Sequence, residues 1–248
     1  PLWTGKQVFS LFIPKDLNYA FKATTCVACP HCDREECKYD AYVVIKDGVL
    51  KSGVIDRNAI GAEQSETLLH RIIKDYGAAA GREFLNRICR LLNLFMTMRG
   101  FTYSFDELEL PQSVQRKIQQ MLEDSEDRIG KLIKDFQDGT LPRLPGQTLA
   151  DSFEIYVMNE LAEARDKAGR TAENSFDPDN SGMIMTKTGA RGSSLNIGQM
   201  TAVVGQQSVR GKRIMRGYLE RALPHFPVGD PSPKARGFVY ASYRDGLD

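Results

Sequence analysis

The strongest constraint on the fold is a pair of apolar stripes at helical spacing, separated by a short connection rich in proline and glycine. Val114, Ile118, Leu122, Ile129, Leu132, Ile133 and Phe136 recur at three- and four-residue intervals, the pattern of a helix that buries one face. Gly139, Pro142, Pro145 and Gly146 interrupt it, because proline lacks the donor a helix needs and glycine loses the most freedom in one. A second stripe follows through Phe153, Val157, Leu161 and Ala164, opened by Thr148, whose hydroxyl can cap the amide of Asp151 in a capping-box arrangement. The spacing predicts helices over about 113–136 and 148–169, joined as an antiparallel hairpin with an apolar seam. Ordinary core packing accounts for that seam without any ligand.

Upstream the periodicity changes. Residues 42–45 and 49–55 are β-rich runs around Lys46, Asp47 and Gly48, a hairpin with an Asp-Gly turn. Before them, TGKQVFSLFIP predicts a short helix capped by Thr4, ended by Pro14 and burying Val8, Phe9 and Phe12. Between 65 and 99, Leu68, Leu69, Ile72 and Ile73 precede a break near Gly77. Phe84, Leu85, Ile88, Leu91, Leu92, Phe95 and Met96 follow it, which predicts two helices packed on the hairpin. Cys89, beside Ile88 and Leu92, reads as a buried, inert thiol.

With 248 residues, the chain exceeds the single-domain mode of about 100–150, so two compact units are expected. The fold class is α+β: a small α/β domain over 1–108, then a mainly helical domain over 109–248 that contains the helical hairpin. No apolar run approaches the roughly 20 residues of a membrane span. No signal peptide opens the sequence, so a reducing, cytoplasmic setting is expected.

In such a setting clustered cysteines point to metal rather than to disulfides. Cys26, Cys29, Cys32 and Cys37 form C-x2-C-x2-C-x4-C with His31 inside, and four thiolates so spaced can close around one tetrahedral zinc. Free reduced thiols and an iron–sulfur cluster are the rival readings. His70 and His225 have no partners at ligand spacing and read as structural, and no Ser/His/Asp or paired-carboxylate arrangement is present.

The charge is asymmetric. The formal net charge is +1, yet between Lys187 and Arg221 there are seven basic residues and one acidic, Glu220. The stretch TKTGARGSSLNIGQMTAVVGQQSVRGKRI spans 186–214, and Gly189, Gly192, Gly205 and Gly211 mark two loops carrying Lys187, Arg191, Arg210, Lys212 and Arg213. Backbone N–H groups beside arginine suit a polyanion, whereas a solvated basic surface needs no ligand at all. A P-loop is excluded, because five residues separate Gly205 from Gly211 and Arg213 follows Lys212. DPDNSG at 177–182 imitates a calcium loop, but Thr188 stands where a bidentate Glu is required. It reads as a polar turn.

The segments GARGSSLNIGQM, VGQQSVRGKRI, RALPHF and KARGFVYASYRDGL, with LWTGKQ and EARDKAGRTAE, resemble the largest catalytic subunit of multisubunit RNA polymerases, in its archaeal form most of all. The resemblance implies that the first domain is the family's pore region and the second its funnel region. Together these would line the secondary channel of an enzyme performing DNA-templated nucleotidyl transfer. Nucleoside triphosphates enter there, backtracked RNA leaves there, and transcript-cleavage factors reach in. Implied partners are those triphosphates and that factor, the other polymerase subunits, and the DNA template and RNA transcript, with no membrane.

The family's magnesium-binding aspartate triad has no counterpart here, since no DxDGD-like run occurs. Magnesium is therefore expected for the assembled enzyme but not on this chain. The chain begins at Pro1 without an initiator Met, so it reads as an excised piece, inactive alone. Arg191 matches a position where the family places a basic side chain near the incoming triphosphate, and Lys187, Lys212 and Arg213 join it as channel cations. Gln206, Gln207 and Ser208 match the loop packed beneath the bridge helix. With Arg165 and Gln199 they match a pocket that binds amatoxins in the eukaryotic nuclear enzymes. Ala162 departs from the polar residue found there. The cysteine cluster, shared with the archaeal form, would hold zinc in a local, structural role. A free-standing zinc-containing RNA-binding module is the alternative.

Overall fold

The computed structural model describes residues 2–26, 37, 39–61 and 64–247. They form two compact units, one of residues 1–102 with 184–191, the other of 103–183 with 192–248. A short later segment, 184–191, belongs to the first unit.

The first unit opens with α1 (Gly5–Ser10), where Thr4 and Gln7 form a reciprocal capping box. Val8, Phe9 and Phe12 are only half-buried. Phe9 and Phe12 pack against the core, which Ile13, just past the helix, enters fully, so the expected set holds in part and lacked Ile13. Strands β1 (Tyr19–Lys22), β2 (Tyr42–Lys46) and β3 (Val49–Ser52) form an antiparallel sheet in that order. As the middle strand, β2 buries residues on both faces, and Val43 and Ile45 are almost wholly shielded from solvent. The β2–β3 turn is the expected Asp-Gly hairpin, with φ of 49° at Asp47 and 69° at Gly48, the left-handed pair of a type I′ turn. Gly48 has a second reason to be glycine, since a Cβ there would lie 2.5 Å from the Pro14 carbonyl oxygen.

A one-turn helix α2 (Arg57–Ile60), capped by Asp56, leads to α3 (Leu68–Arg99), kinked at Gly77, whose φ is 87°. Leu68, Ile72, Phe84 and Ile88 join Val43, Ile45 and Leu50 in one core. Burial stops there. Leu92, Phe95 and Met96 are exposed, and so is Cys89, correcting the expectation that the whole apolar face and the thiol are covered. Helical periodicity reports that a face is apolar and leaves open what covers it.

The second unit is built on the helical hairpin, α4 (Gln112–Gln137) and α5 (Leu149–Glu173). Ile118, Leu122 and Ile129 meet Phe153, Val157 and Leu161 in its seam, and Phe136 stacks on Phe153 with centroids 4.6 Å apart. Each such fully buried side chain contributes about 1.5–3 kcal/mol relative to exposure. Thr148 caps α5 by accepting from the Asp151 amide at 3.1 Å, while the Asp151 carboxylate takes the Thr148 hydroxyl. The polar turn at Asp177 is present, its carboxylate accepting from the Asp179 amide.

Two short helices, α6 (Ser181–Lys187) and α7 (Ser194–Thr201), lie where the sequence suggested only loops. The unit closes with two-residue strands: β4 (Gly205–Gln206) pairs with β7 (Phe238–Val239), and β5 (Ser208–Val209) pairs with β6 (Lys212–Arg213). Helix α7 packs on α5 through glycines, since a Cβ on Gly198 would lie 3.0 Å from the Gly169 Cα. No helix of the described residues is long and apolar enough to cross a membrane.

Candidate functional site: basic turns and a carboxylate clamp

The GARGS segment, whose Gly189, Ala190 and Arg191 belong to the first unit, terminates α6. Gly189, at φ 71°, donates its amide to the Thr186 carbonyl at 3.1 Å, and Ala190 donates to Met185 at 3.0 Å. These paired bonds are a Schellman cap. The Arg191 amide also points to the Met185 carbonyl, at 3.3 Å. The backbone donors expected to cradle an anion are thus spent on capping the helix, which corrects that reading, and binding at this turn falls to side chains. Lys187 and Arg191 are both exposed.

Cys26 and Cys37 are described, whereas Cys29, Cys32 and His31 lie outside the described residues. No metal-holding group of three or more ligands occurs among the described residues. Amide hydrogen bonds from Ala41 first, then Tyr39, hold the Cys37 thiol below its ordinary range. They favour the thiolate, which is the form that binds metal. That donor chemistry fits zinc.

In the second unit, Arg210 (φ 54°) and Gly211 (φ 76°) make the β5–β6 connection a tight left-handed turn. This second hairpin was hidden by an arginine where Asn or Asp is usual. Lys212 is exposed on it. Arg213 is not. Its guanidinium is fully buried, donating to both Glu154 carboxylate oxygens at 2.8 Å and to the Pro231 carbonyl at 2.9 Å, and it lies 5.6 Å from the Phe153 ring centroid. The expectation of an open channel cation is corrected at this residue, which holds structure together.

Arg236 donates to the same Glu154 oxygen at 2.7 Å. Burial, and then the adjacent Arg213 charge, pull Arg236 below the ordinary guanidinium range, against the support of Glu154. Removing one partner from such a buried cluster costs about 3–5 kcal/mol, because the remaining charge is stranded. Glu154 and Arg236 were missed in the sequence. They are separated by 82 positions, and no local signal links them.

Of the expected bridge-helix residues, Gln206, Gln207 and Ser208 bond to the segments that carry this cluster, while Arg165 and Gln199 lie elsewhere. Gln206 donates through Nε2 to the carbonyls of Gln207 (2.6 Å) and Arg236 (2.8 Å), while its Oε1 is buried without a partner. Gln207 is exposed and donates its amide to the Gly237 carbonyl at 2.9 Å. Ser208 is exposed and pairs with Arg213 across the hairpin. Arg165 and Gln199 line one cleft of about 160 Å³ between α5 and α7. Arg165 is ion-paired with Asp166 at 2.8 Å, and its methylenes press on Gly205, leaving no room there for a Cβ.

The family description "RNA polymerase Rpb1, domain 3" matches residues 1–108, and "RNA polymerase Rpb1, domain 4" matches residues 133–239. The DNA-directed RNA polymerase subunit Rpo1N of Methanocaldococcus jannaschii is 48% identical over 247 residues, 100% of this chain and 18% of the relative. The subunit of the same name from Methanothermobacter thermautotrophicus strain Delta H is 48% identical over 99% of the chain and 28% of its own length. That of Sulfolobus acidocaldarius is 43% identical over 100% of the chain and 28% of its length. The chain belongs to the family of the largest RNA polymerase subunit. It spans less than a third of the length of these polymerase relatives. The domain 4 match takes in α5, α7 and β4 to β7, and with them the Glu154 cluster and the 206–208 turn.

Proposed function

We propose that this chain forms the pore and funnel portion of a DNA-directed RNA polymerase, over 1–108 and 109–248, and lines the secondary channel of the assembled enzyme. The observation that carries the reading is the run of two consecutive domain matches, in order, within identity that extends along the whole chain. In this account Lys187, Arg191 and Lys212, all exposed, present positive charge to triphosphates entering and to backtracked RNA leaving. A focused positive potential raises the local concentration of a polyanion without a tight site. Gln206, Gln207 and Ser208 support the bridge helix, with Arg165 and Gln199 behind them. Cys26, Cys29, Cys32 and Cys37 hold one structural zinc.

The assembled enzyme works with DNA template, RNA transcript, its other subunits and a transcript-cleavage factor, in the cytoplasm. Catalytic magnesium is supplied by residues outside this sequence, so the chain alone does not polymerise. Relatives that are themselves polymerase subunits favour this reading over a free-standing RNA-binding module.

The test is steady-state elongation and factor-stimulated cleavage by polymerase reconstituted with Arg191→Ala. An exposed arginine–phosphate contact is worth about 1–3 kcal/mol, so the nucleotide KM should rise around tenfold or cleavage should slow. Wild-type behaviour in both assays at low salt, where charge is least screened, would refute the channel role.

A further inference from the structure

The cluster at Glu154 does more than fill the core. We propose that Glu154 is a positioning residue that fixes the 206–208 turn by clamping the two segments on which that turn rests. The inference rests on the reading that this turn supports the bridge helix.

Two arms converge on one carboxylate. On one side, Arg213 is the cross-strand partner of Ser208, so its guanidinium anchors the hairpin that continues from the turn. On the other, the Arg236 carbonyl accepts from the Gln206 side chain at 2.8 Å and from the Ile214 amide at 3.2 Å, while Gly237 accepts from the Gln207 amide at 2.9 Å. Both guanidinium groups end on Glu154, at 2.7 and 2.8 Å, and Glu154 is carried by α5, the helix that supplies much of the apolar core of this unit. The turn is exposed at Gln207 and Ser208, while Gln206 is half-buried. Its place is therefore set through a side-chain and a backbone hydrogen bond to the Arg236–Gly237 segment, whose guanidinium is pinned from beneath. Bidentate guanidinium–carboxylate geometry fixes direction as well as distance. A displacement of about 1 Å in a supporting element is enough to cost up to a hundredfold in rate.

The experiment uses complete polymerase reconstituted with full-length subunits carrying Glu154→Gln, Gln206→Ala, or both. Elongation is measured as kcat and nucleotide KM. Glu154→Gln should lower kcat about tenfold and leave KM within about twofold, because the groups that meet the nucleotide are untouched. The double variant should be no slower than the slower single, since both act through one turn. Effects that multiply independently, or normal elongation by Glu154→Gln while Gln206→Ala is slow, would overturn the clamp. Normal elongation by Gln206→Ala would instead bring down the reading of the turn, and the clamp with it, which is a distinguishable result.

Because Glu154→Gln strands two buried cations, a triple variant, Glu154→Met with Arg213→Met and Arg236→Met, removes the clamp without leaving unpaired charge. It should assemble and elongate slowly at unchanged KM. Wild-type elongation by the triple variant overturns the proposal. So does failure of both variants to assemble where an Ile129→Ala core control assembles.

Discussion

Gly130 and Gly198 are both helical glycines, and the same substitution should stabilise the chain only at Gly130. Nothing lies within 4 Å of a Cβ built on Gly130 in α4, whereas on Gly198 in α7 that Cβ lies 3.0 Å from the Gly169 Cα of α5. Replacing glycine by alanine in a helix is worth about 0.5–1 kcal/mol through the entropy of the unfolded chain. At Gly130 nothing opposes the gain. At Gly198 the neighbour is backbone, so α7 must shift by some tenths of an ångström and carry buried Ile197 and Thr201 with it. Overpacking of that kind costs about 1–3 kcal/mol. With roughly 2–4 °C per kcal/mol for a chain of this size, Gly130→Ala should raise Tm by about 1–4 °C, and Gly198→Ala should leave it unchanged or lower it by up to about 10 °C. Thermal unfolding of the 248-residue chain, followed by far-ultraviolet circular dichroism, reads both. Equal stabilisation at the two positions would refute the close crossing of α5 and α7.

Protein purified without chelator should carry one equivalent of zinc, and chelation should increase proteolysis around 22–40; iron with visible absorption would point to a cluster instead. Asp40 gives a pH signature. Burial opposes its ionisation, but hydrogen bonds from Lys6 and from the Gly53 amide outweigh it and hold the carboxyl below its ordinary range. Its contribution is therefore present above the unfolded carboxylate value of about 3.9 and lost as pH falls through the lower folded value. Asp40→Asn should destabilise by under about 1 kcal/mol at neutral pH, given its exposure, and by nothing in strong acid; equal loss at both pH values would contradict the assignment. Ile129→Ala should cost about 2–5 kcal/mol in urea unfolding, since Ile129 is fully buried in the seam; a loss under 1 kcal/mol would show that the seam is loose.

The elements legible in the sequence are those set by local chemistry. Asp47-Gly48 announces its own turn, Thr4 and Thr148 their own helices, and the stripes of α4 and α5 their own seam. Where local signals were weak, elements were missed. Helix α7 is short and contains a glycine, although Ser193 and Asn196 form a capping box that could have disclosed it. Gly189 carried an ambiguous message, since helix termination and phosphate approach both call for a left-handed glycine. Arg213 was illegible in principle, because its burial depends on a carboxylate 59 positions away, and a cation run reads the same whether its members face water or a buried partner. The exposed apolar side of α3 around Leu92 and Phe95 shows the converse, a pattern of burial without the burial.

The channel role proposed for Arg191 requires that the α6–α7 turn face nucleic acid and nucleotides in the assembled enzyme. It is tested most directly by placing a photoreactive side chain at position 191 in reconstituted polymerase and irradiating complexes whose RNA is labelled at its 3′ end. If Arg191 lines the channel, backtracked complexes should crosslink the RNA 3′ end to this position, and complexes held in the forward register should not. Equal crosslinking in both registers, or crosslinks to protein alone in the backtracked state, would contradict the account.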